Sequence, residues 1–333
     1  FDGSKANNIV WDGPGTHNFT PFRDTNPACD PSARYKALGL VKGGLRAYRS
    51  ADGVHWEPIA EAPVITRGAF DSQNLAFWDG HAGRYREFHR DGRDGLRDIR
   101  TGTSADFRTW TDPVFLEYTG APHEHLYTNA ILPYDRAPHL LIGFPTRFLP
   151  DTQQTEPTFM SSRDGRNFRR FGEAIIPTTA PADRGGNRSN YMAWGLVTLP
   201  GRDREVSVYA KEAYYTGPGS RVRRFSYRLD GFVALRAGPE GGEVLTRPIR
   251  FEGRRLVVNA RTSGAGSVRV AVLPVDGPPP PGFGPDDARP LHGDDVAAVV
   301  TWAGGDDLRP LAGRAVRLKF SLADADVFSF RFE

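Results

Sequence analysis

A chain of 333 residues that is 39% apolar, with 37 Gly and 27 Pro, has the composition of many short strands joined by turns; no dozen-residue stretch carries an apolar stripe at helical spacing. Its formal charge is only +3, and its 43 basic and 40 acidic residues are interspersed, not blocked into tails, which argues against nucleic-acid and membrane-surface partners. The single cysteine, Cys29, excludes an intrachain disulfide, and no apolar run approaches the length of a membrane span.

In chain order, turn signals fill Phe1 to Phe22, and short strands are predicted at 18–22, 34–40, 45–48 and 56–59. The same four-strand meander repeats at 74–78, 84–88, 98–101 and 114–116, then at 129–132, 139–143, 159–161 and 174–176. A fourth set, at 190–197, 205–209 and 222–227, follows. The first strand of each set is the most apolar and opens with Asn (Asn18, Asn74, Asn129, Asn190), as expected of a strand buried on both faces. A second regularity supports the repeat. The pattern Ser-x-Asp-x-x-x-aromatic begins at Ser50, Ser104 and Ser162, 54 and 58 residues apart. Each copy predicts a β-turn in which Asp bonds its own backbone two residues on. Beyond residue 228 the grammar changes to strands at 244–246, 255–260, 267–273, 296–302, 316–320 and 327–332, with Gly277 to Gly282 as an exposed proline-rich loop. The fold expected is all-β: a five-bladed β-propeller over 1–228 followed by a β-sandwich over 229–333. Four blades are visible, and a fifth would be completed by the N-terminal residues or by sequence before Phe1. The start at Phe1, without Met, reads as a processed protein or a piece of a longer one, so secreted and cytoplasmic locations both stay open.

This layout, with turns such as Ser50-Ala51-Asp52-Gly53-Val54-His55-Trp56, resembles the five-bladed propeller glycoside hydrolases: the invertase/levanase-like family 32 and arabinanase-like family 43 enzymes. The resemblance implies an acidic residue at the start of the innermost strand in each of three blades. Asp71, in Phe70-Asp71-Ser72-Gln73-Asn74, resembles the second-blade acid, and Glu124, in His123-Glu124-His125, the general acid. The first-blade acid has no clean counterpart: His17-Asn18 stand in its place, with Asp12 before the strand and Asp24 after it.

Glycoside cleavage needs two carboxyl groups across the scissile bond. Asp71 and Glu124 are the candidates, and Glu212 is a third, from the fourth blade. His17, Asn18, Gln73, Asn74, Tyr127, Asn129, Asn190 and Trp194 stand on or beside the same strands and are candidate sugar-binding groups, although Asn at a strand start is equally a turn former. Arg147 and Arg188 would bind a substrate anion or pair with one of the acids. His123, His125 and His139 lack a convincing third partner for a metal, so neither metal nor cofactor is expected. The activity expected is hydrolysis of a terminal or small glycoside, with a carbohydrate as the only partner. A non-catalytic glycan-binding propeller, and a phosphorylase or lyase on the same scaffold, are the alternatives. Sugar, anomer, linkage and oligomeric state are not legible.

Overall fold

The computed structural model describes residues 3–4, 6–186, 189–214 and 219–333. The chain is all-β: among the described residues there is no α-helix, and three short 3-10 turns punctuate five β-sheets. It divides into two compact units, Phe1–Gly195 with Val208–Phe225, and Leu196–Ser207 with Ser226–Glu333.

In the first unit the first two sheets are antiparallel meanders, and the third also takes in Glu117–Thr119, parallel to Asn167–Ala174. The first sheet orders Thr20–Arg23, Tyr35–Val41, Gly44–Ser50 and Glu57–Pro58; the second orders Leu75–Asp79, Arg84–Arg93, Leu96–Ser104 and Val114–Phe115. Leu75, Ala76 and Phe77 are buried in succession, so this strand has core on both faces. Thr20–Arg23 does not; only Phe22 is buried there. A continuous core joins the first three sheets through Leu38, Leu45, Phe77, Phe88, Leu126, Ile131 and Met160.

The third sheet departs from the expected strands. The run at 129–132 is broken: Leu126–Thr128 pairs with Thr146–Leu149, and Leu132–Pro133 pairs with Leu141–Gly143. Ala130, between them, takes φ of 42°. The last strand is Asn167–Ala174, not 174–176, because the Ser162 turn is tight enough for pairing to resume at once, Ser162 opposite Phe168. In the fourth sheet, Tyr191–Met192, Glu205–Glu212 and Arg221–Arg228, the expected 190–197 strand shrinks to two residues; Gly195, at φ of 112°, bends the chain away.

In the second unit, the strands predicted at 255–260 and 267–273 are one strand, Leu256–Pro274, and those at 316–320 and 327–332 are one, Val316–Phe332. They pair along most of their length, with register shifts at Asn259/Ala260 and Thr262/Ser267. Leu235–Ala237, Gly242–Leu245 and Asp294–Val299 complete a single hydrogen-bonded sheet over a core that includes Val268, Val270, Trp302 and Phe320.

The three Ser-x-Asp turns are near-identical. Ser50, Ser104 and Ser162 each accept a backbone N–H three residues on, at 2.8, 2.9 and 2.9 Å. Asp52, Asp106 and Asp164 each take two further backbone N–H groups, all at 2.8 Å. The residue after each Asp has positive φ: Gly53 at 80°, Gly165 at 75°, and Phe107 at 61°.

Antiparallel pairing sorts these features by end. In every sheet of the first unit the segment before the first strand lies where the second strand finishes and the third begins. We call this the leading end. The Ser-x-Asp turns, which close the third strands, occupy the opposite end.

Candidate functional site

The segments that open the sheets are stitched to one another at the leading end. Asn18 and Asn74 both donate Nδ2 to the Phe70 carbonyl, at 3.4 and 2.9 Å. Ser72 donates to the Tyr127 carbonyl at 2.7 Å, and the Gln73 side-chain oxygen accepts from the Asn129 and Ala130 N–H groups at 3.2 and 2.7 Å. Asn129 donates to the Gln73 and Phe88 carbonyls, and Asn190 to those of Pro177 and Ala180. Trp194 donates Nε1 to the Ile131 carbonyl at 2.8 Å and packs on the core. These side chains therefore bond the backbone between and within sheets. His17 is exposed at the same end.

The acids sit among arginines. Asp71, with its side chain 64% exposed, accepts from Arg90 through Oδ1. Glu124 accepts from Arg170 through Oε1, and Arg147 stands 3.6 Å from the same oxygen. Arg170 is fully buried and also donates to the Pro122 carbonyl at 2.8 Å. Arg147 is bound mainly by Glu156, at 2.6 and 2.9 Å, and by the Gly172 carbonyl. Asp71 and Glu124 thus each keep one oxygen without a partner among the described residues. Glu212 is different: fully buried, it meets Arg221 at 3.1 Å and Arg223 at 3.2 Å, one on each oxygen. The Ser72–Tyr127 bond draws the Asp71 segment against the chain that follows Glu124. Arg188 lies outside the described residues.

A row of aromatic rings lies at the same end. Arg90 and Arg97 both stand over Tyr127, at 5.7 and 4.5 Å from its centroid, and Arg97 reaches Phe148 at 5.7 Å. From Tyr127 the rings continue to Tyr191 and Tyr214 in steps of 6.2 and 5.3 Å, and Lys211 lies 4.4 Å over Tyr214. Sequence reasoning passed over Arg90, Arg97, Phe148, Tyr191, Tyr214 and Lys211. The available signal was the hairpin around Asp94-Gly95, which carries charged residues past the sheet's apolar part.

The histidines serve carboxylates and backbone. His123 meets the fully buried Asp98 at 3.0 Å, and Asp98 is also held by Arg93 at 2.7 Å and by Tyr118 at 2.8 Å. Burial, then the Asp98 charge, pushes the Tyr118 hydroxyl well above its usual range, so it donates and does not ionise. His125 accepts the Arg97 backbone N–H at 3.1 Å. Burial and the Arg97 charge push its pKa down, which keeps the ring neutral with its proton on Nε2. His139 faces His81. Among the described residues no group of three or more His, Cys, Asp or Glu is placed to hold a metal ion.

Of the two acids flanking the first strand, Asp24 is removed from this end. Asp24 follows Thr20–Arg23 and so lies at the opposite end, buried against Lys36 and Tyr85. Burial opposes its charge, but hydrogen bonds from Lys36 and Tyr85 outweigh that and hold the carboxyl below its usual range. Asp12 is exposed. A cleft of about 540 Å³ lies along the third sheet, between Glu117–Thr119 and the Ser162–Asp164 turn; none of the predicted site residues lines it.

No family model matches the chain, and no curated protein does. Among solved structures, it is similar to an endo-arabinase from Bacteroides thetaiotaomicron, with TM-score 0.46, 14% identity, and coverage of 69% of this chain and 84% of that one. It is similar to a glycoside hydrolase family 43 arabinoxylan arabinofuranohydrolase from Bacillus subtilis, with TM-score 0.40, 12% identity, and coverage of 90% and 76%. It is also similar to a beta-1,2-mannobiose phosphorylase from Listeria innocua, with TM-score 0.43, 14% identity, and coverage of 58% and 54%.

Proposed function

We propose that this chain is a glycoside hydrolase that cleaves a terminal or small glycoside at the leading end of its first unit. Its four sheets are read as blades of a five-bladed propeller over 1–228, with a β-sandwich domain over 229–333. One observation carries the reading. Asp71 and Glu124 both stand at the leading end of their sheets, and each has an arginine on one carboxylate oxygen and leaves the other open.

In this reading Glu124 protonates the leaving oxygen, and Asp71 acts as base, nucleophile or stabiliser of the cationic sugar. Arg170, locked in the interior, aims Glu124; Arg90 does the same for Asp71. The test is a panel of chromogenic pyranosides and furanosides with Asp71→Asn and Glu124→Gln. Each variant should lose at least about a hundredfold in turnover while melting normally, the scale of a general acid or base. Full activity in either removes that residue from the mechanism.

A second reading has its own support. Asp24, the acid that follows the first strand, lies at the opposite end, and Glu212 has both oxygens occupied by arginine, which suits a non-catalytic glycan-binding surface. It predicts saturable glycan binding with no product on any substrate of the panel.

A further inference from the structure

The charges beside the ring row at the leading end are not all paired. The predicted acids there, and Glu156 beside them, each have an arginine: Asp71 has Arg90, Glu124 has Arg170 and Arg147, Glu156 has Arg147, and Glu212 has Arg221 and Arg223. Of the cations stacked on the Tyr127–Tyr191–Tyr214 rings, Arg90 has Asp71 and two have no carboxylate. Arg97 and Lys211 make no ion pair with any described residue. They stand at the two ends of one row of rings, Arg97 at 4.5 Å from Tyr127 and Lys211 at 4.4 Å from Tyr214, with Tyr191 between.

Their placement has physical consequences. A guanidinium lying on tyrosine and phenylalanine rings is partly withdrawn from water, so an anion brought to it is attracted more strongly than by a fully solvated charge. Beside Arg97, His125 uses Nδ1 to accept the Arg97 N–H and presents Nε2–H as a further donor. The rings, meeting edge to face at 74° and 70°, offer apolar edges and faces at intervals suited to successive sugar rings. A neutral glycan on this row would leave both cations with water alone. A glycan carrying negative groups would answer both.

We infer that the leading end binds an acidic glycan, its carboxylate or sulfate groups held by Arg97 and Lys211 at the two ends of the Tyr127–Tyr191–Tyr214 row. The inference rests on the leading end being the glycan site, and names the substrate class that site takes.

The test is calorimetric titration of the full chain with three probes: an oligogalacturonate, the same oligosaccharide after reduction of its carboxyl groups, and a sulfated oligosaccharide. At low salt an acidic probe should bind at least about tenfold more tightly than the reduced one, and the advantage should shrink as salt rises. Whether oligogalacturonate or the sulfated probe binds better identifies the anionic group. Arg97→Gln and Lys211→Gln should each remove severalfold of that advantage, whereas Arg163→Gln, at a Ser-x-Asp turn of the opposite end, should remove none. Lys211 is exposed, so its variant tests the site even if Arg97→Gln disturbs the rings. Equal binding of the reduced probe, failure of both acidic probes to bind, or unaltered binding by both variants would overturn the inference. Turnover measured in parallel separates the two readings. Cleavage of neutral aryl glycosides without acidic preference keeps the hydrolase and removes this inference; acidic preference without any turnover does the reverse.

Discussion

Phe107 occupies a backbone position that its two counterparts fill with glycine. It has φ of 61° where Gly53 and Gly165 have 80° and 75°, yet its ring is fully buried. The ring meets Phe22, Tyr85 and Trp110 edge-on at centroid distances of 5.6, 5.2 and 5.4 Å, joining the first sheet to the second. Two terms of opposite sign follow. Removing a buried Phe side chain costs about 3–5 kcal/mol. A Cβ in the left-handed region costs about 1–2 kcal/mol, which only glycine avoids. Phe107→Ala loses the ring and keeps the strain, so it should be destabilised by about 3–5 kcal/mol. Phe107→Gly loses the ring and releases the strain, so it should be the more stable of the two by about 1 kcal/mol. This is the reverse of the usual order of Ala and Gly. In a unit of this size the gap corresponds to about 2–4 °C in melting temperature. Urea unfolding followed by tryptophan fluorescence, with Trp110 as a neighbouring reporter, measures it. If Phe107→Ala equals or exceeds Phe107→Gly in stability, the turn carries no strain and the reasoning fails.

Asp164 sits in the third turn with its pKa lowered to about 2; burial opposes the shift, and hydrogen bonds from Asn167 and Arg166 produce it. A group depressed on folding stabilises above its unfolded pKa, and that stability disappears as pH falls through the folded value. Because the residue is largely exposed, Asp164→Ala should cost roughly 1 kcal/mol at pH 7, after discounting for solvent screening. The difference from wild type should close between about pH 4 and pH 2, as seen in denaturation midpoints; a constant difference across that window would contradict the assignment. Asn74 is fully buried and bonds the Phe70 carbonyl. Asn74→Ala should therefore lower stability by about 1–3 kcal/mol at unchanged glycan affinity. A large affinity loss in a variant of normal stability would instead make Asn74 a binding group.

The turns and the strand repeat were legible in the sequence because their causes are local. Ser104, Asp106, Arg108 and Thr109 bond one another within five positions, so residue types at fixed spacing nearly specify the geometry. The run Leu75-Ala76-Phe77 announces a doubly buried strand for the same reason. Strand ends were less legible. Whether 256–260 and 268–273 are two strands or one depends on the partner strand Val316–Phe332, which continues across the irregularity.

The character of the site was settled only by folding. Asp71 and Glu124 were visible as carboxylates, but that Arg90 and Arg170 hold them depends on pairs 19 and 46 positions apart. The opening asparagines could have been donors to sugar or to backbone; Asn74 meets a carbonyl four residues back, but those that Asn18, Asn129 and Asn190 meet are brought by other chain segments. Tyr127, Tyr191 and Tyr214 form no pattern along the chain and become a row only when the third and fourth sheets lie side by side. The sequence by itself could therefore determine each turn and the order of the sheets, since those interactions span a few residues. Which charges are paired and which are not is a property of the assembled surface, and only the tertiary structure could decide it.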